Sequence, residues 1–94
     1  DKFVSEKFVT VLKYLSDTLP EMIKLNLLDY NGENPKNLSL TFTGIIDAAD
    51  YESDVILSDF KYRLEKHDLF KRVEITSKKP GYENTLSFQM SIAL

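Results

Sequence analysis

Few residues in this chain are of a type that could do chemistry, and their spacing limits each of them. His67 is the single histidine, so neither a histidine metal cage nor a pair of cooperating histidines can form within one chain. It falls where a helix should end, and positive charge is favoured there by the helix dipole. Asp47, Asp50, Glu52 and Asp54 gather acidic oxygens, but they lack the alternate-position ligands and central glycine of a calcium-binding loop. Capping and solvation account for them better. Gly32, Gly44 and Gly81 stand alone, so no glycine-rich loop cradles a phosphate. Cysteine is absent, which removes disulfides, thiolate metal sites and a cysteine nucleophile. The expectation is no catalytic residue, no metal ligand and no cofactor.

Composition sets the frame for these residues. At 94 residues the chain is expected to form one domain, residues 1–94, with a single modest core. Apolar residues make up 43% and charged residues 29%, an ordinary balance for a folded globule. The net charge of −3, with both signs interspersed, argues against non-specific nucleic-acid binding. No apolar run is long enough to cross a membrane, and none of these residues is expected to serve as a signal peptide. The sequence opens at Asp1 directly in a helical pattern, as expected of a soluble piece of a longer protein.

The last ten residues organise the rest. Leu86, Phe88, Met90, Ile92 and Leu94 alternate with Thr85, Ser87, Gln89, Ser91 and Ala93, which places the large apolar groups on one face of a strand. Without Gly, Pro or charge, this strand suits the interior of an antiparallel sheet. Upstream, Val4, Phe8, Val11, Leu12, Leu15 and Leu19 recur at spacings of three and four, predicting an amphipathic helix from Phe3 to Thr18 that Pro20 terminates. Phe3 and Tyr14 lie well off the centre of its apolar arc, so its apolar surface is wider than one core face requires. Ile23 to Tyr30 reads as a strand with Ile23, Leu25 and Leu27 inward and Lys24 and Asn26 outward. After a loop at Asn31, Gly32, Asn34 and Pro35, Leu38, Leu40 and Phe42 alternate with Ser39, Thr41 and Thr43. Gly44 closes that alternation, and Ile45 and Ile46 carry the apolar run slightly further.

A second helix is expected from Asp50, a good N-cap with Glu52 and Asp54 in the first turn. Ile56, Leu57, Phe60 and Leu64 form its core face. Tyr51, Val55 and Tyr62 line the opposite side, where they are either isolated exposed residues or a partner-facing stripe. Val73 and Ile75 mark a third strand over Lys71 to Ser77, with Glu74 and Thr76 outward. Lys78 to Asn84, containing Pro80-Gly81, turns into the last strand.

The order is therefore αββαββ, an α+β chain. A right-handed strand–helix–strand crossover leaves a gap between parallel strands two and three that the final strand fills. The expected spatial order is three-four-two-one, a four-stranded antiparallel sheet with both helices on one face. This two-layer sandwich is a circular permutation of the ferredoxin-like fold. Sheets of that type that bind RNA stack bases on aromatic side chains of the open face. Here the two central strands offer Ser39, Thr41, Thr43, Ser87, Gln89 and Ser91, so nucleic acid is not an expected partner.

Leu15 with Leu19-Pro20, Leu25 and Leu27, the strand Leu38, Leu40, Phe42 and Gly44, Leu64-Glu65 with Phe70 and Val73, and finally Phe88, Met90 and Ile92 carry a resemblance. The chain resembles the C-terminal periplasmic domain of the fimbrial assembly protein PilN family, part of the type IV pilus inner-membrane platform. A GspL-like domain of type II secretion is similar. The segment after Gly44 and the first hairpin loop are longer than the family's, and the family's upstream cytoplasmic motif and membrane helix are absent. The resemblance implies a non-enzymatic scaffold at the periplasmic face of the bacterial inner membrane. It would touch the membrane only through that absent helix, and pair with a PilO-like homologous domain or with itself.

Two alternatives come from other classes. A small-molecule-sensing domain of the ACT type would bind ligand between paired copies with glycine-bearing loops, and an acylphosphatase-like enzyme would need an arginine-bearing phosphate loop. Neither loop is present. Two surfaces are candidates for pairing. The first strand is an edge whose free backbone groups could extend a sheet; Phe3, Tyr14, Lys24, Asn26, Leu28 and Tyr30 would line it. The outer stripe of the second helix, Tyr51, Val55 and Tyr62, competes with it. The strand is favoured, because the expected upstream membrane helix would bring two copies of the first helix together.

Overall fold

The structure is a computed structural model that describes residues 2–32, 38–48, 50–81 and 83–94, with side chains of 8–32, 38–48, 52–81 and 83–94. Its elements run α1 (Lys2–Thr18), β1 (Ile23–Asn31), β2 (Ser39–Asp47), α2 (Asp50–Glu65), β3 (Arg72–Pro80) and β4 (Thr85–Ala93). The sheet order is β1-β2-β4-β3 with every neighbouring pair antiparallel, so β2 and β3 are parallel and β4 lies between them. This is the permuted ferredoxin-like αββαββ sandwich. The sequence of β4 dictates its place: Phe88, Met90 and Ile92 are buried, while Ser87, Gln89 and Ser91 face the other way.

Both helices cover the same face of the sheet. Val11 and Leu15 of α1 and Leu57, Phe60 and Leu64 of α2 join Ile23, Leu40, Phe42, Ile46, Val73 and Phe88 in one apolar cluster. At its centre Phe42 meets Phe60 and Phe88 edge to face, with ring centroids 6.4 and 6.2 Å apart. Such pairs add about 0.5–1.5 kcal/mol to what their area contributes. Ser53 is the buried polar side chain among the described residues. It remains satisfied by donating to the Ala48 carbonyl at 3.0 Å, which ties the first turns of α2 to the end of β2.

Three expectations about the strands need correction. The alternation of β2 does not close at Gly44 but runs on to Asp47, with Ile46 fully buried. Gly44 is there for space: a Cβ on it would stand 2.7 Å from Phe88 Cζ. β3 extends through Lys78, Lys79 and Pro80, residues expected to belong to the turn. Proline is tolerated at that position because it ends an edge strand. Glu83 and Asn84 take positive φ (49° and 63°) to close the turn, and the Gly81 amide donates to the Thr85 carbonyl at 2.8 Å.

The third correction concerns β1. Leu25 pairs with Gly44 and Leu27 with Thr43, so Asn26 is an extra residue, a β-bulge. Beyond it the facing reverses. Leu27, expected inward, is 65% exposed, whereas Leu28 and Tyr30 pack against the core. β3 carries a matching irregularity between Ile75 and Ser77, where the Thr76 hydroxyl donates to the Gln89 carbonyl at 3.2 Å.

Candidate interaction surfaces

β1 and β3 are the two edges of the sheet, and the chain treats them differently. Unpaired N–H and C=O groups along an edge can accept another strand unless charge, proline or a bulge blunts them. β3 combines its irregularity with Arg72, Glu74, Lys78, Lys79 and Pro80, and most of its side chains are exposed. β1 has its bulge, but its ionisable side chains are only Lys24, Asp29 and Tyr30. β1 is the better-exposed template of the two.

What flanks β1 is apolar. Leu25, Leu28 and Tyr30 turn toward the core yet stay half-buried, because no further strand stands beyond them. α1 covers this end of the sheet, with the Phe8 ring 4.3 Å from the Tyr30 ring. Val9, next along α1, is 62% exposed, and Leu27 adds an exposed apolar group from the open face. The Tyr30 hydroxyl is buried without a hydrogen-bond partner, and desolvation pushes its pKa above the usual 10.0. Unpartnered buried hydroxyls are costly, so this atom marks the edge as a place where the monomer is incompletely satisfied.

The structure places the expected interface residues unequally. Lys24 and Asn26 are exposed on β1, but Leu28 and Tyr30 are on the core side of the bulge. Tyr14 is not a free surface residue. Its ring lies 4.0 Å from His67 and 5.4 Å from Phe70 by centroid, and its hydroxyl donates to the Arg63 carbonyl at 3.1 Å. The off-centre arc of α1 is therefore used within the chain, to dock α1 against the end of α2. The side chain of Phe3 lies outside the described residues. Val9 and Leu27 were not among the expected residues; the doublet Leu27-Leu28 was the one sequence sign that β1 might change phase.

On α2, Val55 and Tyr62 are 65% and 57% exposed. Together with Asp54, Ser58 and Asp59 they line a shallow, open depression. Lys66 Nζ lies 4.3 Å from the Tyr62 ring centroid, a cation–π contact. The side chain of Tyr51 lies outside the described residues.

His67 sits half-buried just after α2, where Nδ1 accepts a hydrogen bond from the Leu69 amide at 3.1 Å. Its ring is packed between structural neighbours, Tyr14 and Phe70, the latter 5.6 Å away. The open face of β2 and β4 presents Ser39, Thr41, Thr43, Ile45, Ser87, Gln89, Ser91 and Ala93. No aromatic side chain stands on it to stack a base. Among the described residues no helix is long and apolar enough to cross a membrane. Compared with protein-family models, with curated proteins and with solved structures, the chain matches none.

Proposed function

We propose that this chain is a non-enzymatic interaction domain that pairs with a domain of its own kind, a second copy or a PilO-like homologue, through the free edge of β1. The observation that carries this reading is the edge itself: open backbone groups, half-buried Leu25, Leu28 and Tyr30 along its core side, and Leu27 exposed on its open face. A strand added there would satisfy backbone groups and cover apolar surface in one step. The resemblance in apolar spacing to PilN-type domains supports a place in a type IV pilus or type II secretion platform, at the periplasmic face of the bacterial inner membrane. On this reading the domain holds partners in position and needs neither cofactor nor metal.

Sedimentation over a micromolar-to-millimolar series tests the surface. Val9→Glu with Leu27→Glu should weaken association, because both side chains are exposed and neither supports the core. Val55→Glu with Tyr62→Glu should leave the edge contact in place. Association that survives the first pair unchanged and is abolished by the second would overturn the edge assignment. Pilus genes adjoining this one support the platform reading, and metabolic genes there would count against it.

A further inference from the structure

The bulge at Asn26 decides how β1 could pair with another copy of itself. The Asp47 amide donates to the Met22 carbonyl at 3.0 Å, so the backbone groups of Met22 point toward β2. Backbone direction alternates along a strand together with side-chain facing. The core-side residues Ile23, Leu25, Leu28 and Tyr30 therefore turn their backbone groups away from β2, toward the free edge. The Ile23 amide already donates to the Pro20 carbonyl at 3.1 Å. Lys24, Leu27 and Asp29 stand on the other face of the sheet, with Asn26 exposed beside Leu27. In an unbroken strand Lys24 and Asp29, five residues apart, would point to opposite faces. The extra residue brings both onto the open face.

Residues opposite each other in an antiparallel pair share one face. Two copies of β1 about a two-fold axis perpendicular to the sheet meet this condition along the whole strand in one register, with Leu25 opposite the partner's Leu28. That register also sets Tyr30 against the partner's Ile23, Asn26 beside the partner's Leu27, and Lys24 against the partner's Asp29. Each of these pairings occurs twice. Any other antiparallel register sets a core-side residue opposite an open-face one across the bulge, or pairs only half of the strand. A parallel copy on a two-fold axis along the strand would put its helices on the opposite face and break the apolar layer. Lys24 and Asp29 are the two charged side chains of β1, and behind them β2 offers uncharged Ile45 and Thr41. The register that matches the faces thus also places unlike charges opposite each other.

We infer that the partner at the β1 edge is a second copy of this chain, joined antiparallel with Leu25 opposite the partner's Leu28. Eight strands then form one sheet with the helices of both copies on one face. This rests on the edge pairing proposed above and adds its partner and register. Leu25 and Leu28 exchange backbone bonds across the axis, and each Tyr30 amide reaches the partner's Ile23 carbonyl. Half-buried Leu25, Leu28 and Tyr30 gain apolar cover in the same step. The contact is isologous.

The chain has no cysteine, so introduced thiols read the register directly. Lys24 and Asp29 are exposed, and they form a non-hydrogen-bonded pair across the axis, where Cα atoms lie about 4.5 Å apart. Disulfides need a separation below about 7 Å. Under mild oxidation, an equal mixture of Lys24→Cys and Asp29→Cys should give a covalent dimer with one chain of each. Either variant alone should stay uncrosslinked, because its two thiols stand about 15 Å apart along the strands. Lys24→Glu and Asp29→Lys should each weaken self-association about tenfold, and their equal mixture should recover it. Cross-linking of either cysteine variant with itself would overturn the register while leaving edge pairing in place. A mixture that gives no cross-link where the parent sediments as a dimer would overturn the register and the edge together. A parent that stays monomeric at millimolar concentration would overturn self-pairing and leave the edge to a homologous domain.

Discussion

Gly44 and Phe88 form a cross-strand pair whose coupling can be worked out from distances. A methyl group on Gly44 would stand 2.7 Å from Phe88 Cζ, 2.8 Å from Cε1 and 3.0 Å from the Lys24 carbonyl oxygen. Ordinary contact begins near 3.4 Å, so the ring must retreat by about 0.7 Å. It has little freedom to do so, because Phe42 meets it edge to face and Phe60 backs Phe42 in turn. Overpacking of this kind costs about 1–3 kcal/mol. The gain of replacing glycine in a strand offsets about 0.5–1 kcal/mol of that, and Gly44 needs no positive φ that alanine would strain. Gly44→Ala should therefore destabilise by about 1–2 kcal/mol, and each kcal/mol lowers the melting temperature by about 4–8 °C. Phe88→Ala should cost about 3–5 kcal/mol. The double variant should cost less than the sum by at least about 0.5 kcal/mol, since the new methyl occupies space the ring has left. Urea denaturation with an unchanged slope reports all three. A neutral or stabilising Gly44→Ala, or strict additivity, would refute the claim that Phe88 occupies the place of a side chain at residue 44.

Two further outcomes follow from β1. Leu27→Thr should leave stability within about 0.5 kcal/mol, whereas Leu28→Ala should lose about 1–2 kcal/mol, less than a fully buried leucine; the reverse ranking of urea midpoints would place the bulge wrongly. The raised pKa of Tyr30 sets the alkaline limb. Above about pH 10 the unfolded chain gives up this phenolic proton while the folded chain keeps it, so the folded state binds more protons and stability falls as pH rises. Tyr30→Phe should flatten that limb without loss at neutral pH, because it deletes a buried hydroxyl that has no partner; an unchanged alkaline slope would show that the phenol is fully solvated.

The fold was legible where one pattern excluded its competitors. The alternation of β4 admits only a strand with one buried face, and the right-handed crossover then leaves one place for it in the sheet. β1 was not legible in the same way. Ile23, Leu25 and Leu27 form one valid alternation and Leu28 and Tyr30 the other, and a bulge uses both in turn. A register change depends on what the neighbouring strand offers, here Gly44 and Thr43 of β2, which a local pattern cannot express. Tyr14 was misplaced for a related reason. A position off the centre of one helix's arc is exposed only if no other element reaches it, and the end of α2 does. The Ser53 bond to Ala48 likewise exists only once the β2–α2 turn has closed. The outer stripe of α2 was visible in part as Val55 and Tyr62, because exposure opposite a clear core face is a local property.

Amide hydrogen exchange along the two sheet edges, followed from micromolar to millimolar protein, tests the pairing reading most directly. An added strand would bond the outward amides of β1, so these should slow as concentration rises, while those of β3 keep their rates. Protection that grows on β3 and not on β1, or on neither edge while the protein associates, would contradict pairing through β1.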